Sequence, residues 1–247
     1  GIAAQTYQNL FDYTRIDFSN ARFLSIDLDL VATTDKMTTV FYMVYSYLLT
    51  KDFRLSKERV STYPDNCRWY HLERAETLFA QDKYIVFDEF HRPVKSGSKQ
   101  IINAVDRYNR EGRKWGMSTI LLSQDIKDFD PLFIRSFSTS IFMAGDPQTA
   151  SEIRDIMFLT DAEYKALTKY CRGPSSKGAP FLAIMSTKEG EGRSSQLLYS
   201  TISPIEAWAL STTKEDVLIR EKLTTELGVV EARARLGRAY AFSASKE

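Results

Sequence analysis

Hydrophobic positions along the chain recur with different spacings, and each spacing predicts a different element. From Phe23 to Val31 they alternate, with Leu24, Ile26, Leu28 and Leu30 on one face and Ser25, Asp27 and Asp29 on the other, which predicts a strand with one apolar face. From Asp35 to Thr50 the period lengthens. Met37, Val40, Phe41, Val44, Tyr45 and Leu48 fall on one stripe of an amphipathic helix. Residues 51–68 are charged and carry Pro64-Asp65-Asn66; they read as a loop leading to a short helix from His71 to Gln81, with 51–82 as an inserted segment. Tyr84-Ile85-Val86-Phe87 then runs unbroken into Asp88-Glu89, the pattern of a short strand buried on both faces.

Residues 91–99 are polar and carry breakers, and Ile101, Ile102, Val105 and Tyr108 predict a helix from Gln100 to Trp115, with Arg107, Arg110 and Lys114 on one stripe. Met117 to Gln124 is a second buried strand ending in polar residues, and Ser138 to Ala144 is a third, closed by Gly145-Asp146-Pro147. Gln148–Leu159 and Asp161–Tyr170 read as helices, the second N-capped by Thr160 or Asp161. Phe181–Ser186 and Ser195–Thr201, joined across Glu189-Gly190-Glu191-Gly192, predict a hairpin. Thr212 and Glu215 form a capping box before a helix ending at Gly228, and an amphipathic stretch with Arg233, Arg235 and Arg238 follows. Residues 203–247 thus read as a C-terminal helical extension.

Composition narrows the partners. Thirty-three basic and 32 acidic side chains leave a formal charge of +1, so no global field draws the chain to nucleic acid or an anionic membrane. Cys67 and Cys171 form no CxxC pair, which fits a reducing compartment. Cys67 and His71 are spaced like half a zinc site, with no second half in the sequence. The longest apolar run, Val40–Leu49, is interrupted by Ser46 and falls short of the roughly 20 residues that span a bilayer. No signal-peptide pattern precedes it. A start at Gly1 without methionine points to an excised piece of a longer chain.

The chemistry concentrates at Asp88-Glu89. In open α/β sheets ligands bind just outside the carboxyl ends of strands, and an apolar strand ending in two carboxylates is the Walker B pattern. There the first carboxylate holds a hydrated Mg²⁺ and the second polarises the water that attacks the γ-phosphate of ATP. The plainer alternative is an acidic strand end that caps a helix or meets an arginine. No Walker A loop accompanies it. Lys99 follows a serine and precedes Gln100, whereas that pattern needs Gly-x-x-x-x-Gly-Lys-Ser/Thr directly after a strand.

The Walker B strand, a basic helix closed by Glu111-Gly112-Arg113-Lys114-Trp115-Gly116 and a strand ending in Ser123-Gln124 together resemble the ATPases of conjugation and type IV secretion, relatives of the HerA and FtsK translocases. More narrowly, Phe23-Leu24-Ser25-Ile26-Asp27-Leu28-Asp29 and Ser203-Pro204-Ile205-Glu206-Ala207-Trp208-Ala209-Leu210-Ser211-Thr212-Thr213 resemble the C-terminal part of the IcmB/DotO ATPases of type IVB secretion systems. The resemblance covers about residues 20 to 238. It implies a RecA-like P-loop NTPase core, a mainly parallel sheet between helices, finished by a hairpin and a C-terminal helical pair.

By the same resemblance Asp88 is the Mg²⁺ carboxylate and Glu89 the catalytic one. Ser123 and Gln124 contact the nucleotide, Gln124 sensing the γ-phosphate or helping to place the lytic water, and Arg113, with Arg110 in reserve, is an arginine finger, in trans if the ring geometry puts it at the neighbour's site. Arg113 can equally be a salt-bridge partner near a helix end, and Arg135 is a weaker finger candidate. The resemblance further implies a hexameric ring in the parent protein, partners among other secretion ATPases and inner-membrane components, and nucleic acid only as transported substrate. Its expected place is the cytoplasmic side of a bacterial inner membrane. The family's phosphate-binding loop lies upstream of the Walker B strand, so this chain alone is expected to hydrolyse ATP poorly. Three rivals remain. Asp88-Glu89-Phe90-His91 mimics a DEAH helicase box, but the other helicase motifs are absent. A HerA- or FtsK-type DNA translocase shares the core motifs, and a non-hydrolysing docking domain for another secretion ATPase needs none of them.

Overall fold

The computed structural model describes residues 22–28, 34–95, 99–134, 136–143, 146–175, 177–186 and 192–244. They belong to two units, one up to Asp130 and one from Pro131. The architecture is mixed α/β, with a parallel strand pair in the first unit and a three-stranded antiparallel sheet in the second.

In the first unit the predicted helix is present as α1 (Asp35–Phe53), but its buried side is not the apolar stripe alone. Thr38, Phe41, Ser46 and Thr50 are buried while Val40 and Tyr47 are exposed. The inward hydroxyls are satisfied on their own helix: Thr38 Oγ1 donates to the Thr34 carbonyl (3.1 Å) and Thr50 Oγ1 to the Ser46 carbonyl (2.7 Å). The loop expected over 51–68 is largely helical. After α1 come α2 (Lys57–Ser61), capped by Ser56, and α3 (Asp65–Phe79). Pro64-Asp65-Asn66 is therefore a helix start, with Pro64 at the N-cap, where its missing N–H leaves no donor unpaired. Leu55, Val60 and Ala75 form a small core between α2 and α3, with Tyr63, Leu72 and Leu78 packed on it.

The central strand is β1 (Lys83–Phe87). It pairs in parallel with β2 (Met117–Leu121), Lys83 opposite Met117 and Phe87 opposite Leu121. Burial alternates along β1, correcting the expectation of a strand buried on both faces: Lys83, Ile85 and Phe87 point inward, whereas Tyr84 and Val86 are 60% and 55% exposed. Between the strands run α4 (His91–Lys95), α5 (Lys99–Glu111) and a 3-10 turn over Gly112–Trp115. Ile101, Ala104, Val105 and Tyr108 of α5 are buried. Both glycines of the turn are required by geometry. A Cβ on Gly112 would lie 2.4 Å from the Met117 carbonyl oxygen, and Gly116 has φ +60°. Residues 24–28 carry no strand, and the rest of the alternating segment, 29–31, lies outside the described residues.

The second unit contains α6 (Pro131–Ile134), β3 (Thr139–Phe142), α7 (Pro147–Met157), α8 (Asp161–Lys169), β4 (Ala179–Ser186) and β5 (Arg193–Ser200). The expected hairpin is β4–β5, with Ala179 opposite Ser200 and Ser186 opposite Arg193. β3 joins it antiparallel to β4, which corrects the expectation of a mainly parallel sheet: among the described residues only β1–β2 is parallel. Leu182 and Ile184 of β4, Ala150 and Ile153 of α7, Leu159, Leu167 and Cys171 are buried, and burial pushes the Cys171 thiol above its usual range. The expected C-terminal helical pair is three helices, α9 (Pro204–Leu210), α10 (Lys214–Leu227) and α11 (Val229–Ala244). α9 and α11 approach closely at Gly237, where a Cβ would meet the Ile205 side chain at 2.4 Å.

Candidate functional site

At the carboxyl end of the parallel pair the backbone pinches out two residues. The Leu122 N–H donates to the Phe87 carbonyl (3.0 Å) and the Phe90 N–H donates to the Leu122 carbonyl (2.9 Å), so β2 bonds to both sides of Asp88-Glu89 and leaves that dipeptide projecting. This explains an otherwise costly conformation: Glu89 has φ +53°, a region that non-glycine residues enter only when neighbouring structure over-determines it. Phe90 is the anchor on the far side. It is 1% exposed, stacks on Phe129 at 5.6 Å and meets Phe87 edge-on at 6.1 Å. Burying such a ring is worth about 1.5–3 kcal/mol. The Tyr42 hydroxyl donates to the Asp88 carbonyl (3.4 Å), and its ring stacks on Phe87 at 6.2 Å.

Asp88 is exposed, and one of its oxygens, Oδ1, accepts the Glu89 N–H (2.9 Å). Glu89 is held at both carboxylate oxygens. Gln124 Nε2 donates to Oε1 (3.1 Å), and His91 Nδ1 lies 3.0 Å from Oε2. Nδ1 is buried and makes no aligned hydrogen bond, so its approach to Oε2 is a close contact of the ring. Asp88, Glu89, Ser123 and Gln124, four residues expected at the site, are thus brought to one edge.

No protein-family model matches the chain, and no curated protein matches it.

Ser123 lies on the segment between β2 and the turn that follows it. Its hydroxyl bonds to Asp128 Oδ2, while Asp125 Oδ1 accepts the Lys127 N–H (2.9 Å), so the segment carrying Gln124 is tied down by a 3-10 turn over Ile126–Asp128. The two arginines lie elsewhere. Arg113 is in the turn that precedes β2 and Arg110 in the last turn of α5, at the amino end of the strands. At ~3.3 Å per strand residue this is about 15 Å from the carboxylates. Arg110 is occupied by its own helix, Nε lying 2.9 and 2.8 Å from the two oxygens of Asp106; Arg113 is exposed. Arg135 lies outside the described residues. Among the described residues no group of three or more His, Cys, Asp or Glu is arranged to hold a metal, and no helix is long and apolar enough to cross a membrane.

Sequence reasoning missed His91, Tyr42 and Asp128. For His91 a signal existed, since it follows Glu89 by two residues; Tyr42 had none, because its place in α1 gives no hint of a hydroxyl aimed at a carbonyl 46 residues away. The donor set suits Mg²⁺ held through water. An exposed carboxylate with one oxygen free of that backbone bond is what such an ion uses when phosphate oxygens and water complete its shell.

Proposed function

We propose that the chain is the Walker B and sensor part of a RecA-like motor, the C-terminal portion of a type IV secretion ATPase of the IcmB/DotO kind. In this reading Asp88 carries hydrated Mg²⁺, Glu89 polarises the attacking water and Gln124 links Glu89 to the γ-phosphate. The observation that carries it is the Asp88-Glu89 projection at the carboxyl end of a parallel pair, with Gln124, on the loop just past the neighbouring strand, bonded to Glu89. A mere acidic strand end would need neither a left-handed glutamate nor an amide on its carboxylate. In a ring-shaped parent Arg113, about 15 Å away by strand rise, would act on a neighbouring subunit's nucleotide.

The test is ATP turnover by a chain extended N-terminally through a phosphate-binding loop, compared with the same chain carrying Glu89→Gln. Turnover that falls by roughly 100-fold or more with KM little changed, as for a group acting only in the transition state, supports the motor. If both chains are inactive, Asp88 and Glu89 are strand-end structure and a docking domain becomes the better reading.

A further inference from the structure

We propose that His91 is a positioning residue for Glu89, holding the second carboxylate oxygen that Gln124 leaves free; its kinetic consequence rests on the motor reading. Three observations converge on it. Glu89 enters the site on a backbone pinned at φ +53° between two inter-strand hydrogen bonds, so its Cα cannot drift. Its Oε1 is committed to Gln124 at 3.1 Å, which leaves rotation about that anchor as the remaining freedom. His91 Nδ1, 3.0 Å from Oε2, closes that freedom, and His91 is itself fixed as the first residue of α4, whose Pro93 is buried.

The two contacts differ in kind, and the difference sets the division of labour. Gln124 makes an aligned hydrogen bond to Oε1, whereas Nδ1 is close to Oε2 without an aligned N–H. The lone pairs of Oε2 are therefore the ones left to accept from a water, with the imidazole limiting where that oxygen can turn. Removing the ring lets the carboxylate plane swing. Since displacements near 1 Å at a reacting centre lower rates by as much as ~100-fold, the effect belongs in kcat and not in substrate affinity.

The contact can be read without turnover, because the chain has two histidines, His71 and His91. His71 lies between the rings of Tyr63 and Tyr70 at 4.9 and 5.2 Å. In ¹⁵N-detected imidazole spectra of the full chain, Glu89→Gln is expected to move the His91 ring resonances and leave those of His71 in place. Unmoved His91 resonances overturn the proposal. In the N-terminally extended chain, His91→Gln, which can mimic only Nε2, should lower kcat roughly 10- to 100-fold at unchanged KM, and His91→Asn, which keeps a polar atom where Nδ1 stands, should recover most of it. If Glu89→Gln abolishes turnover while His91→Gln does not reduce it, His91 has no positioning role and the motor reading stands. Turnover indifferent to Glu89→Gln overturns the motor reading, and with it the kinetic half of this proposal.

Discussion

Glu163 offers a sharp energetic test. Its side chain is 7% exposed, and Oε2 accepts from the Thr160 N–H (2.8 Å), the Thr160 hydroxyl (3.0 Å) and Arg193 Nη2 (3.1 Å). The same Arg193 donates through Nη1 to the Met157 carbonyl (2.8 Å) and contacts that of Phe158 (3.4 Å). One arginine from β5 thus caps the end of α7 and neutralises the capping carboxylate of α8. Glu163→Ala removes half a capping box, worth ~1 kcal/mol. It also removes an ion pair whose value lies between ~0–1 kcal/mol for exposed pairs and ~3–5 kcal/mol for buried ones. Arg193 is 34% exposed and keeps its carbonyl partners, so the lower half of that range applies and the total is about 2–3 kcal/mol.

Urea unfolding of wild type, Glu163→Ala, Arg193→Met and the double variant isolates the pair as a coupling free energy, expected at about 1–2 kcal/mol. Burial by itself would raise the Glu163 pKa, but the Thr160 backbone and hydroxyl, the Ser195 hydroxyl and the Arg193 charge outweigh it and hold it below the usual 4.5. A carboxylate with a depressed folded pKa contributes stability that is complete above its unfolded value and lost as pH falls through the folded one. The coupling should therefore be full at neutral pH and fade only below about pH 4.5. A coupling under ~0.5 kcal/mol at neutral pH, or one that grows on acidification, would refute this account.

Gly112→Ala forces a Cβ against the Met117 carbonyl oxygen, 2.4 Å away on backbone that cannot rotate aside. It should cost about 1–3 kcal/mol, read as a lowered urea midpoint. Gly237→Ala meets Ile205; the helix propensity gained, ~1 kcal/mol, offsets part of the overpacking, so a net loss of about 0–2 kcal/mol is expected from the same assay. Phe90→Ala removes a fully buried ring and should lower stability by about 3–5 kcal/mol, with Glu89-dependent turnover falling further than Phe90→Leu allows. Burial lowers the Lys83 amine below 10.5, so the unfolded chain holds that proton more tightly. Relative to Lys83→Met, wild-type stability should rise with pH as alkalinity approaches that value, and a falling difference would contradict it.

What was legible in the sequence was mostly what a short window determines. The period of α1, the breaks around β1 and β2, the β4–β5 hairpin and a cap at Thr160 or Asp161 all came from neighbours within a few residues, and so did the meeting of two polar strand ends at one edge. Faces were less legible. Thr38 and Thr50 are buried because each hydroxyl bonds back to its own helix, which makes a polar residue compatible with the interior. Val86 is exposed although nothing in its side chain asks for water. Helix starts slipped where two candidates stood side by side: Thr213, not Thr212, caps α10 by accepting the Asp216 N–H, and Ser203 with Glu206 forms a capping box before α9 that went unread. In the site, Gln124 and Glu89 are bonded at one edge, and that Arg113 stands at the other end of the strands follows only from the parallel register.

The uncovered side of the parallel pair governs how the protein behaves in a tube. Tyr84, Val86, Ile120 and Leu122 form a greasy strip 41–60% open to solvent, on strands of the type that normally have both faces sheltered. Such strips drive colloidal association as concentration rises. Light scattering should show a second virial coefficient that is negative for the wild-type chain and moves toward positive values in Val86→Lys, a change that leaves Ile85 and Phe87 beneath it in place.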